Sequence, residues 1–151
     1  MDNYVSLPLT APTPSEHSGY DRVDLELYEV DHSGDSFAVR VFIDDPDASL
    51  QTPMRDNSAY AGSFYVFGHG PCLGDEGHCE VPPGPISAYD FRAPYALTPL
   101  YRRLPITEAL RHRTDPAGTF TVTLVPVVNR GGTPEQADVL FFKRIALVAY
   151  S

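Results

Sequence analysis

The sequence predicts an all-β protein: an antiparallel β-sandwich, jelly-roll-like, with one short helix and a long proline-rich loop. Three observations lead there. Short segments alternate apolar and polar residues with the period of half-buried strands, and turn residues separate them. The 15 prolines and 11 glycines fall throughout the chain and leave little uninterrupted length for helix. Only one segment carries both a proline suited to a first helical turn and cations suited to a last one. No internal repeat is visible. At 151 residues the chain buries roughly 70% of the surface its unfolded form exposes, enough for one core without staples.

The elements follow in order. Residues 1–20 are rich in Pro, Ser and Thr and lack periodicity, so they read as an extended N-terminal arm, with residues 21–151 forming one sandwich domain. Val23-Asp24-Leu25-Glu26-Leu27 alternates apolar and acidic residues as a half-buried strand does. Phe37–Ile43 repeats the pattern, with Phe37, Val39, Val41 and Ile43 on one face. Asp31-His32-Ser33-Gly34-Asp35 between them has turn chemistry, so the two strands are expected to pair as a hairpin. Residues 44–58 are polar and loop-like. Tyr60–Gly68 is the next strand, with Phe64 and Val66 on one face and Tyr65, Phe67 and His69 on the other; apolar groups on both sides predict cover on both. Residues 80–105 carry Pro82, Pro83, Pro85, Pro94, Pro99 and Pro105 together with Tyr89, Phe91, Tyr95 and Tyr101, and the prolines predict a long ordered loop wrapped over the sheet. Residues 105–113 are the helix. Thr119–Val125 is the clearest strand, with Phe120, Val122 and Leu124 inward; Asn129-Arg130-Gly131-Gly132 turns, and Val139–Tyr150 closes the fold with one or two strands.

Charge narrows the function classes. The net charge is −9, and residues 1–80 hold fifteen acids against three arginines while residues 81–151 are net basic. Nucleic-acid binding rests on cations that neutralise phosphates, so an acidic half argues against it. No apolar run approaches the roughly 18 residues of a membrane span. Residues 1–10 lack a basic stretch followed by an apolar one, which makes the cytoplasm the expected compartment unless a partner carries the chain out.

Candidate chemistry concentrates in one loop. Cys72 and Cys79 flank a glycine-rich acidic stretch directly after the Tyr60–Gly68 strand, with His69 and His78 alongside. A Cys72–Cys79 disulfide would close eight residues and constrain the unfolded chain by about 2.5 kcal/mol. In a reducing compartment the thiols stay free. With His69, His78 and Met54 they then form a soft donor set suited to Cu(I) or zinc, although the spacing fits no standard zinc module. His17, His32 and His112 sit in an arm, a turn and a helix end, where solvated side chains are expected. No nucleophile elbow surrounds Ser63, and Gly68-His69-Gly70 is too short to cradle a phosphate. Nothing in the pattern runs catalysis alone.

Four segments resemble a known family in the same order: Phe37–Ile43, Tyr60-Ala61-Gly62-Ser63-Phe64, Leu104–Leu110 and Val122-Thr123-Leu124-Val125-Pro126. They are similar to the "KFDV"-like strand, the "AGSF" strand, the "I-T-x-x-L" helix and the "VTLVP" strand of the C-terminal β-sandwich of type-3 copper proteins. Those are the polyphenol oxidases, the tyrosinases and molluscan hemocyanin. The resemblance spans residues 23–150. It implies an accessory, non-catalytic role: in that family the sandwich covers the dicopper centre of a helical catalytic domain, and one of its side chains enters the pocket as a placeholder. Phe64-Tyr65-Val66-Phe67-Gly68 is similar to the hemocyanin "Phe-Tyr-Ile-Leu-Gly" pattern, which puts Phe67 at the plug and Tyr65 beside it. Packing of Phe67 in the core under the proline-rich loop is the competing expectation. The helical domain with its copper-binding histidines is absent from these residues. The resemblance therefore implies a partner, a type-3 copper oxidase catalytic chain or domain, that the protein shields; help with copper loading or maturation is expected only by a parallel of role with the small chaperones that accompany some bacterial tyrosinases. Two alternatives stand beside it: a copper carrier using the Cys/His loop, and a purely structural protein-binding sandwich.

Overall fold

Two sheets pack face to face in the computed structural model, which describes residues 3–12, 21–70, 88–89, 98–115 and 118–150. The strands are β1 (Tyr4–Val5), β2 (Leu9–Thr10), β3 (Arg22–Val30), β4 (Phe37–Ile43), β5 (Tyr60–Val66), β6 (Leu100–Pro105), β7 (Thr119–Phe120), β8 (Val122–Arg130), β9 (Thr133–Gln136) and β10 (Arg144–Tyr150), with helix α1 at Thr107–Arg111. The large sheet runs β1-β8-β4-β5, with β9 also on β8; the small sheet runs β10-β3-β6; β2 pairs with β7. Every pairing is antiparallel.

The alternation seen in the sequence sets the core. Phe37, Val39, Val41 and Ile43 from β4, Phe64 and Val66 from β5, and Val122 and Leu124 from β8 face Val23, Leu25 and Leu27 of β3, and all are buried. Each such side chain contributes roughly 1.5–3 kcal/mol by leaving water. A second cluster covers the outer face of the large sheet, where Phe42, Val125 and Val127 lie under Ala48, Leu50 and Tyr60. Residues 44–59 are thus a cover as well as a loop, held by Arg40 Nη1 donating to the Leu50 carbonyl (2.8 Å) and Leu50 N donating to Gln136 Oε1 (2.9 Å).

Several expectations change in the folded chain. β3 and β4 do not pair as a hairpin: they belong to different sheets, and residues 31–36 arch across the sandwich between them. A bulge between Leu27 and Val30, with Glu29 at φ 55°, turns the end of β3 towards that arch. The residues read as an arm contribute β1 and β2 to the sandwich. The proline-rich loop stops short of residue 105, since Leu100–Pro105 is β6, with Leu100 and Leu104 half-buried against the core. Most of the rest of that loop lies outside the described residues. Helix α1 is shorter than residues 105–113 because Pro105 still pairs with Asp24 in β6. The Thr107 hydroxyl accepts from Val23 N at 2.9 Å and ties the helix start to β3.

Pro126 lies inside β8, a position that normally excludes proline. Val122 exchanges hydrogen bonds with Ser6 (Ser6 N to Val122 O 2.9 Å, Val122 N to Ser6 Oγ 2.9 Å), so the backbone N–H and C=O groups of even-numbered β8 residues point away from β4. Along that edge β1 reaches Leu124, and β9 begins opposite Val127. The missing N–H falls in the gap between them, and the Pro126 carbonyl still accepts from Ala137 N at 3.3 Å. The β8–β9 connection is the two-residue turn at Gly131 (φ 61°) and Gly132 (φ 89°), where both residues need the left-handed region.

The outer face of the small sheet is polar and tightly paired. Asp24, fully buried, accepts from Arg22 Nε at 2.6 Å and lies 3.5 Å from Arg103 Nε. Glu26 accepts the hydroxyls of both Tyr28 and Tyr101. Because the neutral phenol is the donor, this bond to Glu26, aided by desolvation, pushes the Tyr101 pKa up to about 12 and raises that of Tyr28.

Candidate functional site

β5 lies at one end of the large sheet and presents its two faces unequally. Phe64 and Val66 enter the core, while Tyr65 and Phe67 on the other face are 73% and 77% exposed. Phe67 is therefore not a core residue, and among the described residues nothing covers the outer side of β5 at Tyr65 and Phe67, where cover was expected. Arg102 of β6 reaches across the open side of the sandwich and donates from Nε to the Tyr65 carbonyl at 2.9 Å. That contact occupies an edge acceptor that would otherwise invite another strand.

The chain after Phe67 is held still by the arch. Gly68 N donates to Ser36 Oγ (2.9 Å), His69 N to the His32 carbonyl (2.9 Å) and Gly70 N to the Gly34 carbonyl (2.8 Å). The approach is so close that a Cβ built on Gly68 would lie 2.2 Å from the Gly34 carbonyl oxygen, and one on Gly70 would lie 2.9 Å from the Gly34 carbonyl carbon. Only glycine fits this contact. The result is an exposed aromatic ring at the end of a strand whose next three amides are anchored.

His32, expected to be solvated, is buried instead. Its Nε2 lies 2.9 Å from the Thr98 carbonyl, and its ring meets that of His69 edge-on with centroids 4.9 Å apart. His69 in turn stands edge-on to Phe67 at 6.4 Å. His32, Ser36 and Arg102 are the residues that reading along the chain missed. The available signal was the Gly68-x-Gly70 spacing, which needed a close neighbour, and the glycine in the 31–35 turn that provides one.

Of the proposed soft ligands, His69 is exposed beside Phe67, and Met54 stands on the segment that covers the outer face of the large sheet. Cys72, His78 and Cys79 lie outside the described residues, and so does the choice between a Cys72–Cys79 disulfide and free thiols. Among the described residues no three His, Cys, Asp or Glu side chains gather as a metal site. None of their helices is long and apolar enough to cross a membrane. A cleft of about 280 Å³ opens at the other end of β4, lined by Ile43, Asp44, Ser58, His112, Arg113 and Asp115 among others. Its Arg113 is committed to structure: Nε donates to Asp44 Oδ2 at 2.7 Å, and Nη2 to the Thr119 carbonyl at 2.7 Å.

No protein-family model matches the chain, and no curated protein matches it significantly. Solved structures do match. Latent aurone synthase (polyphenol oxidase) from natural source superposes with a TM-score of 0.58 at 20% identity, over 99% of this chain and 24% of that one. The recombinantly expressed latent enzyme gives 0.56 at 20% identity, over 99% and 24%. Its form co-crystallised with hexatungstotellurate(VI) gives 0.55 at 20% identity, over 98% and 24%. The chain thus spans about a quarter of the length of these polyphenol oxidases, and at this identity the likeness is one of fold. Its β-sandwich has the fold of that quarter of a polyphenol oxidase, consistent with the C-terminal sandwich of type-3 copper proteins that the sequence resembles.

Proposed function

We propose that this chain is a non-catalytic partner of a type-3 copper oxidase of the tyrosinase kind, covering the dicopper pocket with Phe67 as placeholder and assisting copper loading or maturation. One observation carries the reading: Phe67 is a 77% exposed ring on a backbone that three hydrogen bonds anchor. Leaving a phenylalanine in water forgoes roughly 1.5–3 kcal/mol, which a covering apolar slot returns. A slot shaped for a phenol accepts a phenylalanine ring and finds no hydroxyl to oxidise. Tyr65, two residues earlier on the same face, extends the contact. The polyphenol oxidases sharing the fold are latent forms, which supports shielding as the work of the shared segment. The copper belongs to the partner. When the chain is co-expressed with an oxidase catalytic chain, it suppresses phenol oxidation, and Phe67→Ala relieves the suppression while leaving the β-sheet circular dichroism unchanged. Equal suppression by Phe67→Ala would remove the placeholder role.

A second reading is a copper carrier in which the exposed His69 joins Cys72, His78 and Cys79. Titration of the reduced chain with Cu(I) against a competing chelator tests it. Affinity unchanged in Cys72→Ser and Cys79→Ser eliminates it.

A further inference from the structure

The outer face of the small sheet points away from Phe67 and holds a second cluster of chemistry, on which nothing in the shielding role depends. Tyr28 donates to Glu26 Oε2, and Tyr101 donates to Glu26 Oε1 at 2.5 Å. The two rings are 5.1 Å apart, centre to centre, and tilted by 54°. Both hydroxyls bond to the oxygens of one carboxylate, which holds the hydroxyl ends of two neighbouring rings on the same buried group. Glu26 is buried beneath them, while Tyr101 is 45% exposed and open to a dissolved oxidant.

We propose that Tyr28 and Tyr101 form an oxidation site at which one-electron oxidants of the phenoxyl-radical or ruthenium(III) class couple the two rings into an intramolecular dityrosine, with Glu26 as the proton acceptor. A phenol that loses an electron becomes a strong acid, and here its proton has a carboxylate already hydrogen-bonded to receive it. The Arg144 guanidinium lies 3.8 Å from the centre of the Tyr28 ring and opposes removal of an electron there. Tyr101 is therefore oxidised first: one electron passes to the oxidant, and the hydroxyl proton passes through Glu26 to water. A second equivalent of oxidant takes an electron from Tyr28 in the same way. The two phenoxyl radicals join through a new carbon–carbon bond between the positions beside their oxygens, and the hydrogens on those carbons shift to the oxygens to restore both phenols. In all, two electrons reach the oxidant and two protons reach water. The product ties β3 covalently to β6.

The 151-residue chain in dilute solution is illuminated with tris(bipyridyl)ruthenium and persulfate, and the monomer is analysed by dityrosine fluorescence and peptide mass mapping. The expected product is a monomer two hydrogens lighter, in which the peptides carrying Tyr28 and Tyr101 are joined. Tyr28→Phe and Tyr101→Phe abolish it, and Glu26→Gln slows it several-fold. The wild-type map decides the matter even if a variant fails to fold. A monomer without the Tyr28–Tyr101 link, or coupling that runs mainly through the more exposed Tyr65, overturns the proposal. A Glu26→Gln chain that couples at the wild-type rate overturns the role given to Glu26.

Discussion

Gly68→Ala tests how the exposed ring is presented. The added methyl would lie 2.2 Å from the Gly34 carbonyl oxygen and 2.4 and 2.5 Å from the Asp35 carbonyl carbon and oxygen, all backbone atoms. No rotamer change relieves a clash with backbone, so the segment must move off the arch by roughly the ångström needed to reach ordinary contact. That movement breaks the hydrogen bonds from Gly68, His69 and Gly70 to Ser36, His32 and Gly34. Each is worth about 1 kcal/mol net, so their loss comes to about 3 kcal/mol. This corresponds to on the order of 100-fold in the local opening equilibrium. The cost stays local, because β5 has already ended at Val66 and its pairing with β4 is untouched. Amide hydrogen exchange read by NMR should show Gly70 and His69 losing protection by about that factor, while Val39 and Phe64 keep theirs. Shielding of an oxidase should weaken although Phe67 itself is unchanged. Wild-type protection at His69 and Gly70 in the variant would refute the anchoring argument.

Further predictions follow from the core and the small sheet. Phe42→Ala empties the second cluster under Ala48 and Leu50 and should cost about 3–5 kcal/mol, read as a lower urea midpoint; a cost under about 1 kcal/mol would mean that residues 44–59 do not act as a cover. The Thr123 hydroxyl is buried with no hydrogen-bond partner among the described residues, so Thr123→Val should raise stability by about 1 kcal/mol, and a fall in thermal midpoint would contradict this. Tyr101 titrates at about 12, raised from 10.0, so the fold favours its neutral form; that contribution is whole below about pH 10 and is lost as pH rises through about 12. Phenolate absorbance should show Tyr101 ionising late and Glu26→Gln bringing it earlier; ionisation of Tyr101 near its ordinary value in the wild type would contradict the Glu26 bond.

Alternation along single strands was legible because it reports burial directly. The inward residues of β4, β5 and β8 are those that the period of two selects. What a strand pairs with was less legible. The 31–35 turn residues serve a hairpin or an arch equally well, and the choice between them lies in the bulge at the end of β3, which leaves no mark in the pattern of apolar residues. β6 was hidden because Pro99 and Pro105 bracket a segment in which Arg102 takes an inward position and turns aside to cap β5. The site divided along the same line. Phe67 and Tyr65 stood out from parity within β5, whereas His32 and Ser36 act through contacts made across the fold, more than thirty residues away. The buried Glu26 looked like an outward acid in an amphipathic strand, since its two tyrosine partners lie on β3 itself and on the strand that the prolines concealed.

In the proposed complex the Phe67 ring lies inside the copper pocket of another protein. A benzophenone amino acid installed at Phe67, irradiated in the complex with a type-3 copper oxidase catalytic chain, reads that position directly. The expected product is a crosslink to the pocket beside the copper-binding histidines, lost when a phenol analogue occupies the site first. Crosslinks confined to the outer surface of the oxidase, or unaffected by the analogue, would contradict it.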